Sequence, residues 1–198
     1  MHIREALFLK SSSSIKGCPE PVYPEYAFIG RSNVGKSSLI NTLTGYGKLA
    51  KISGTPGKTQ LINHFLINGE WYLTDLPGFG FARAAKTLRA KWEKMIQEYL
   101  LKRTNLVNSF LLVDIRHDPM ASDLAFMAWL GARQLPFTIV FTKADKLGVN
   151  QARSMVAGYH KKLAETWDPI PPNLISSSKT GLGRDDILNA IHTWNQKL

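Results

Sequence analysis

Residues 26–43 read Tyr26-Ala-Phe-Ile-Gly-Arg-Ser-Asn-Val-Gly-Lys-Ser-Ser-Leu-Ile-Asn-Thr-Leu43. The stretch opens on a short apolar run, Tyr26 to Ile29, fit for a buried strand. It closes on Leu39, Ile40 and Leu43, apolar positions at helical spacing. Between them Gly30, Arg31, Ser32, Asn33, Val34, Gly35, Lys36 and Ser37 spell G-x-x-x-x-G-K-S. A strand that turns into a helix through such a loop is built to hold a polyphosphate. The glycines let the backbone curl so that successive N–H groups point inward, and the positive end of the helix dipole adds to the field. Lys36 brings a point charge to the β- and γ-phosphates, and Ser37 offers a hydroxyl to Mg²⁺. With strand and helix in place, a mere glycine-rich turn is the weaker reading.

Downstream, the apolar periodicity alternates between strand and helix, which predicts an α/β fold. Strands are expected near 26–30, 61–67, 70–75, 109–114, 136–142 and 172–176, with an edge strand starting in Ala6–Leu9. Helices are expected near 36–44, 88–103, 121–133, 150–166 and 184–196. Asn68-Gly69 joins two strand patterns and takes positive φ cheaply, so 61–67 and 70–75 should form an antiparallel hairpin. Strands separated by helices should run parallel. The fold class that follows is a mixed, mostly parallel sheet of six or seven strands with helices on both faces and one antiparallel hairpin. At 198 residues the chain suits one domain, with 26–198 as the core and 1–25 as an N-terminal extension or edge strand.

The identity of the nucleotide is read further along. Thr142-Lys143-Ala144-Asp145 follows the β-branched and aromatic run Phe137–Phe141. A carboxylate there can accept from both N1–H and the exocyclic amine of guanine, a donor pair that adenine lacks. The stem of Lys143 can lie over the base. Asp75-Leu76-Pro77-Gly78 ends another strand, which places Asp75 where it can hold Mg²⁺ through water, while Gly78 can present its N–H to a γ-phosphate. Gly57-Lys58-Thr59-Gln60-Leu61 closes a long polar loop. Thr59 abuts the strand and is preferred over Thr55 as the second hydroxyl on Mg²⁺. After the short strand at 173–175, Ile175-Ser176-Ser177-Ser178 forms a small-residue loop that can bring a backbone N–H to guanine O6.

Taken in order, GRSNVGKSSLIN at 30–41, TPGKTQLINHF at 55–65, DLPGFGFA at 75–82, DIRH at 114–117 and TKAD at 142–145 resemble the EngB (YihA/YsxC) family of bacterial GTPases associated with ribosome assembly. The resemblance spans nearly the whole chain. It implies a Ras-like phosphate-loop GTPase fold, GTP and Mg²⁺ as ligands, a 50S ribosomal subunit or its precursor as partner, a link to normal septation, and a cytoplasmic, monomeric protein. The family's last motif fits less well, and the guanine contacts fall on either Ile175–Ser177 or Ser176–Ser178. Two rivals stand beside a ribosomal switch: a phosphoryl-transfer enzyme with a small-molecule acceptor, and a regulatory module acting directly at the septum with incidental hydrolysis.

The residue after Gly78 sets the mechanism. Many signalling GTPases carry a glutamine there that orients the attacking water. Phe79 cannot hydrogen-bond water, so intrinsic hydrolysis should be slow. Asn33 can supply an oxygen to K⁺ near the β–γ bridge, as in several GTPases that this one resembles. Alternatively, it only bonds the switch backbone. Lys36, Thr59, Gly78 and Asn33 are thus the catalytic candidates.

Charge points to a polyanionic partner. Lys plus Arg number 25 against 15 acidic residues, a formal net charge of +10. The positives cluster at Lys48, Lys51 and Lys58, then at Arg83, Lys86, Arg89, Lys91 and Lys94, with Lys102, Arg103, Lys161 and Lys162 beyond. Such a surface suits ribosomal RNA, and a solvated basic face is the plainer alternative. Cys18 is the single cysteine, so no internal disulfide can form. No apolar run approaches the roughly 20 residues that cross a bilayer. His2, His64, His117, His160 and His192 have no metal-ligand spacing.

Overall fold

The alternation of apolar residues along the central strands decides how the layers form. A computed structural model describes residues 1–47, 49–50, 61–79 and 86–198, with backbone only at 86–89. In it Ala27 and Ile29 face one side of the sheet, while Tyr26 and Phe28 face the other. Leu111 and Val113 split from Phe110 and Leu112 in the same way. Each strand therefore feeds two cores, and both faces need helices to cover them.

The elements are β1 (Ala6–Ser12), β2 (Glu25–Gly30), α1 (Lys36–Thr44), β3 (Ile62–Ile67), β4 (Trp71–Asp75), α2 (Lys86–Lys102), β5 (Leu106–Asp114), α3 (Ala121–Gly131), β6 (Phe137–Thr142), α4 (Val149–Leu163), β7 (Asn173–Ile175) and α5 (Arg184–Asn195). The seven strands are ordered β1-β3-β4-β2-β5-β6-β7. Only β3 runs against its neighbours, pairing antiparallel with β1 and β4. Helices α2, α3 and α4 cover one face through Ile96, Tyr99, Met127, Leu130, Val156 and Tyr159. The other face is covered by α1 and α5 through Leu39, Ile40, Leu43, Ile187 and Ile191.

The expected hairpin is present. Asn68 and Gly69 take φ of 54° and 69°, and Glu70 N–H closes on Ile67 O at 2.9 Å. Three boundaries shift by three residues from the sequence expectation; α4 stops at Leu163 rather than near 166, where the chain turns and the N–H groups of Thr166 and Trp167 both close on Leu163 O at 2.9 Å. β1 continues to Ser12, because Ser11 and Ser12 keep the pairing with Asn63 and Ile62 despite a bulge between Phe8 and Lys10. β5 starts at Leu106, because the register of β2 begins opposite it. At the end of β2, a Cβ on Gly30 would lie 2.7 Å from the carbonyl oxygen of Leu112, so strand and loop can approach only with glycine there.

Candidate functional site

Parallel strands bring their C-terminal ends to one edge of the sheet, and the loops beyond that edge carry the polar motifs. The glycine loop leaves β2 and enters α1. Gly35 adopts φ 102° at the start of the helix, a conformation that penalises any side chain. Lys36 is buried and its Nζ meets Asp75 Oδ1 at the end of β4. Asp75 is only 2% exposed. Ser37 lies on the first turn of α1, and among the described residues neither its hydroxyl nor Asp75 Oδ2 is taken by a hydrogen bond.

A second loop holds the first in place. Thr142, the last residue of β6, donates its hydroxyl to Val34 O at 2.7 Å and to Val113 O at 3.2 Å. Lys143 sits in the left-handed region (φ 63°), and its stem passes over the glycine loop. Its Nζ donates to Asn33 O at 2.6 Å and to Asp114 Oδ2 at 2.9 Å. Asp114 also takes a two-pronged contact from Arg116. Burial would raise the Asp114 carboxyl, but donation from Arg116 and Lys143 outweighs it and holds the group well below the usual carboxylate range. The anchoring roles of Asp114 and Thr142 are missed when the sequence is read alone, since along the chain Asp114 is only one acid at a strand end. A lysine just past the β6 end, opposite an acid at the β5 end, is the signal that was there to use.

The loops after β6 and β7 also interlock. Asp145 lies in a short 3₁₀ turn, Ala144–Lys146, and Ala144 N–H donates to Ser176 O at 3.1 Å. Ser177 Oγ donates to Asp145 Oδ1 at 2.7 Å and accepts from the N–H groups of Lys179 and Thr180 at 3.2 Å. The Ser177 hydroxyl holds the Asp145 carboxyl below its ordinary value. Ser176 N–H is spent on Phe141 O and Ser177 N–H on Leu182 O. The Ser178 carbonyl accepts from Thr42 Oγ1 at 3.1 Å, and its N–H has no partner among the described residues.

Gly78 lies against the glycine loop: a Cβ there would be 3.2 Å from both Gly30 O and Ser32 N. The next residue, Phe79, zips onto the same loop, its N–H on Gly30 O at 3.1 Å and its carbonyl accepting from Ser32 N–H at 3.3 Å. Arg31 turns away toward α3, its Nη1 against Met120 Sδ, beside a cavity of about 190 Å³. Asp123 lines that cavity, and burial pushes its carboxyl up to about 6 against the pull of Arg31 and His117. Gly57, Lys58, Thr59 and Gln60 lie outside the described residues, as do Thr55, Lys48, Lys51 and Arg83. Leu61 is an exposed bend before β3.

One residue of the predicted basic surface does not belong to it. Arg103 is buried, with Nε 2.8 Å and Nη2 2.7 Å from Glu25 Oε2, because the start of β2 places a carboxylate under the end of α2. Lys91, Lys94, Lys102, Lys161 and Lys162 are exposed, although Lys162 is paired with Glu165 at 2.6 Å. His64 is fully buried against Glu25.

A sheet edge built this way is that of a phosphate-loop GTPase. A family model described as 50S ribosome-binding GTPase matches residues 25–143. Over 198 residues the chain is 50% identical to the probable GTP-binding protein EngB of Porphyromonas gingivalis, covering 100% of this chain and 98% of that protein. It is 51% identical to that of Phocaeicola vulgatus, covering 100% and 99%. Among solved structures, a probable GTP-binding protein EngB matches with a TM-score of 0.71 at 23% identity, over 88% of this chain and all of that one. A variant of Aquifex aeolicus Era bound to GDP·AlF4⁻ matches at 0.68 and 22% identity, over 84% of this chain and 55% of that one. The chain belongs to the EngB family and is a GTPase. No helix among the described residues is long and apolar enough to cross a membrane.

Proposed function

We propose that this chain is a one-domain cytoplasmic switch that binds GTP with Mg²⁺, hydrolyses it slowly and acts in assembly of the large (50S) ribosomal subunit. Normal growth, division and septation would depend on it through that role. The observation that carries the reading is the clamp from Asp145 and Ser177 through Lys143 to Asn33, which ties the loop carrying the Asp145 carboxylate to the phosphate loop. In this reading the loop 30–37 wraps the phosphates, with Lys36 leaving Asp75 to meet them. Asp145 accepts from the guanine edge. Of the two registers open in the sequence, Ser176–Ser178 is favoured, because Ser178 has the N–H left for O6.

The residues suit Mg²⁺, a hard cation that takes oxygen ligands. Ser37, with Thr59, would ligate it directly and Asp75 through water. Bound there, the ion supplies charge neutralisation at the β- and γ-phosphates. Gly78, close against the loop that would wrap the phosphates, would present its backbone N–H to the third phosphate. Phe79 offers no group to orient water, so a low intrinsic rate is expected. K⁺ held at Asn33, whose side chain is exposed and unpartnered among the described residues, would raise it. Equal hydrolysis rates in K⁺ and Na⁺ would remove the K⁺ role.

Support for the ribosomal partner comes from the family description, from the exposed lysines of α2, and from Era, a fold relative solved with MgGDPNP and nucleotides 1506–1542 of 16S rRNA. The test is binding of the purified protein to 50S particles with GTP analogue, with GDP and without nucleotide, at low and physiological salt. Binding confined to the GTP-analogue state supports the switch. Equal binding in all states that vanishes with salt would reduce the basic face to a generic polyanion surface.

A further inference from the structure

The residue after the Asp-Leu-Pro-Gly turn is held by more than its backbone. The Phe79 ring stacks on Phe126 of α3, with centroids 4.7 Å apart and planes at 22°. Phe126 in turn stacks on Trp129 at 5.9 Å and 15°, and the Arg133 guanidinium lies 4.5 Å over the Trp129 ring. All three rings are half-buried, so this ladder runs along the outer surface of α3. The helix beneath it is fixed: Met127 and Leu130 are fully buried, and the Trp167 ring packs so closely on Gly131 that a Cβ there would lie 2.3 Å from it. The ladder is thus a rigid platform with one end on a segment that the nucleotide should move.

We propose that Phe126 is a positioning residue for GTP binding and hydrolysis, acting through Phe79 to hold Gly78 against the phosphate loop. The geometry has two halves. The Phe79 backbone pins Gly30 and Ser32 at 3.1 and 3.3 Å, and the Phe79 ring pins α3. Gly78, the residue between Pro77 and this double anchor, then has little freedom, and it lies so near the glycine loop that an added Cβ would be 3.2 Å from both Gly30 O and Ser32 N. An aromatic residue here therefore does different work from a glutamine. It orients no water, but it fixes the backbone donor that precedes it. Without the platform, Phe79 keeps two backbone bonds and loses its ring anchor, so Gly78 must be ordered at the expense of ligand affinity.

The proposal rests on the reading of Gly78 as the contact to the third phosphate. It follows that GDP, which lacks that phosphate, should not sense Phe126. The experiment compares dissociation constants for a non-hydrolysable GTP analogue and for GDP, with hydrolysis rates, in the wild-type chain and in Phe126→Ala, Phe126→Leu, Phe126→Tyr and Gly78→Ala. An aromatic stack of this kind corresponds to about a two- to tenfold effect. Phe126→Ala should weaken the analogue by that factor, lower the hydrolysis rate and leave GDP within about twofold. Phe126→Tyr should restore both, since it keeps the ring. Phe126→Leu keeps apolar bulk without a ring, serves if the alanine variant does not fold, and should behave like it.

Equal changes for analogue and GDP, or no change in either, would overturn the proposal, and so would a Phe126→Tyr variant as impaired as Phe126→Ala. Gly78→Ala separates the two levels. If it shifts the analogue-to-GDP ratio and Phe126→Ala does not, the platform role alone fails. If Gly78→Ala leaves the ratio unchanged, the reading of Gly78 fails and takes the proposal with it.

Discussion

Two carboxylates mark opposite ends of neighbouring strands, and both are buried. Glu25 begins β2 and Asp75 ends β4. Glu25 is saturated. Its Oε1 accepts from Thr74 at 2.9 Å and from Tyr99, with His64 Nε2 at 3.2 Å, and its Oε2 accepts from Arg103 at 2.8 Å and Asn105 at 3.0 Å. Arg103 also donates to Pro19 O at 2.8 Å, which ties in the N-terminal segment. Asp75 has one partner among the described residues, Lys36, and that partner is the lysine of the phosphate loop. A buried charge is tolerated only when its hydrogen-bonding capacity is met. Glu25 meets it inside the protein and has no capacity left for a ligand. Asp75 and Lys36 satisfy each other and keep capacity in reserve. The first arrangement is closed, and the second leaves the pair able to take further partners, as the proposed function requires.

Removing Glu25 should break this contrast most sharply. Glu25→Ala leaves Arg103 buried and unpaired, a defect that costs about 3–5 kcal/mol. Urea unfolding should show that loss, while GDP affinity of the folded protein stays unchanged. An unchanged unfolding midpoint would mean that the network carries no net stability.

Acid should probe the same end. Burial alone would raise the Glu25 carboxyl, but His64, Arg103 and Tyr99 hold it down at about 2, against an ordinary 4.5. A group with a depressed folded value stabilises the protein at pH above its unfolded value and loses that contribution as pH falls through its folded value. The full contribution, about 3 kcal/mol, should therefore be present above pH 4.5 and fade as pH falls toward 2. Unfolding curves across that window test it, and the slope should be absent in Glu25→Gln.

At the ligand end the effects should fall on binding. On the proposed reading Asp145 accepts from two guanine donors, each worth about 1.5–3 kcal/mol, so in Asp145→Ala the preference for GTP over ATP should drop about a hundredfold or more. Competition binding measures it, with thermal stability changing little. Ser177→Ala should have the smallest effect, about 1 kcal/mol or fivefold in GDP affinity, because it orients Asp145 and two N–H groups without being the main acceptor. Titration of the variant with GDP reads this directly, and a full loss of binding would mean that Ser177 holds the loop together.

The comparison also separates what a reader of the chain alone could find from what stayed hidden. Gly30–Ser37, Asp75–Gly78 and Thr142–Asp145 are contiguous, and each is bounded by a strand pattern. Each motif is read from residues that are neighbours in the chain, so spacing along the chain is enough to propose its role. Arg103 is the opposite case. By sequence it extends a run of positives after α2, and in the fold it is buried on Glu25, 78 residues away. Asp114 and Lys143, 29 residues apart, and Phe79 and Phe126 likewise meet only because neighbouring strands and a packed helix bring them together.

Short stretches of the chain were enough to specify the alternating α/β order, the hairpin at Asn68-Gly69 and the glycine loop at 30–37. These depend on backbone freedom at glycines, on the period of apolar residues and on local donor patterns, all of which act over a few residues. Packing set which charges are spent and which are available, which serine N–H has no partner among the described residues, and what the ring of Phe79 rests on. Those outcomes depend on burial and on pairing across strands, and burial is a property of the packed chain that no short stretch carries alone.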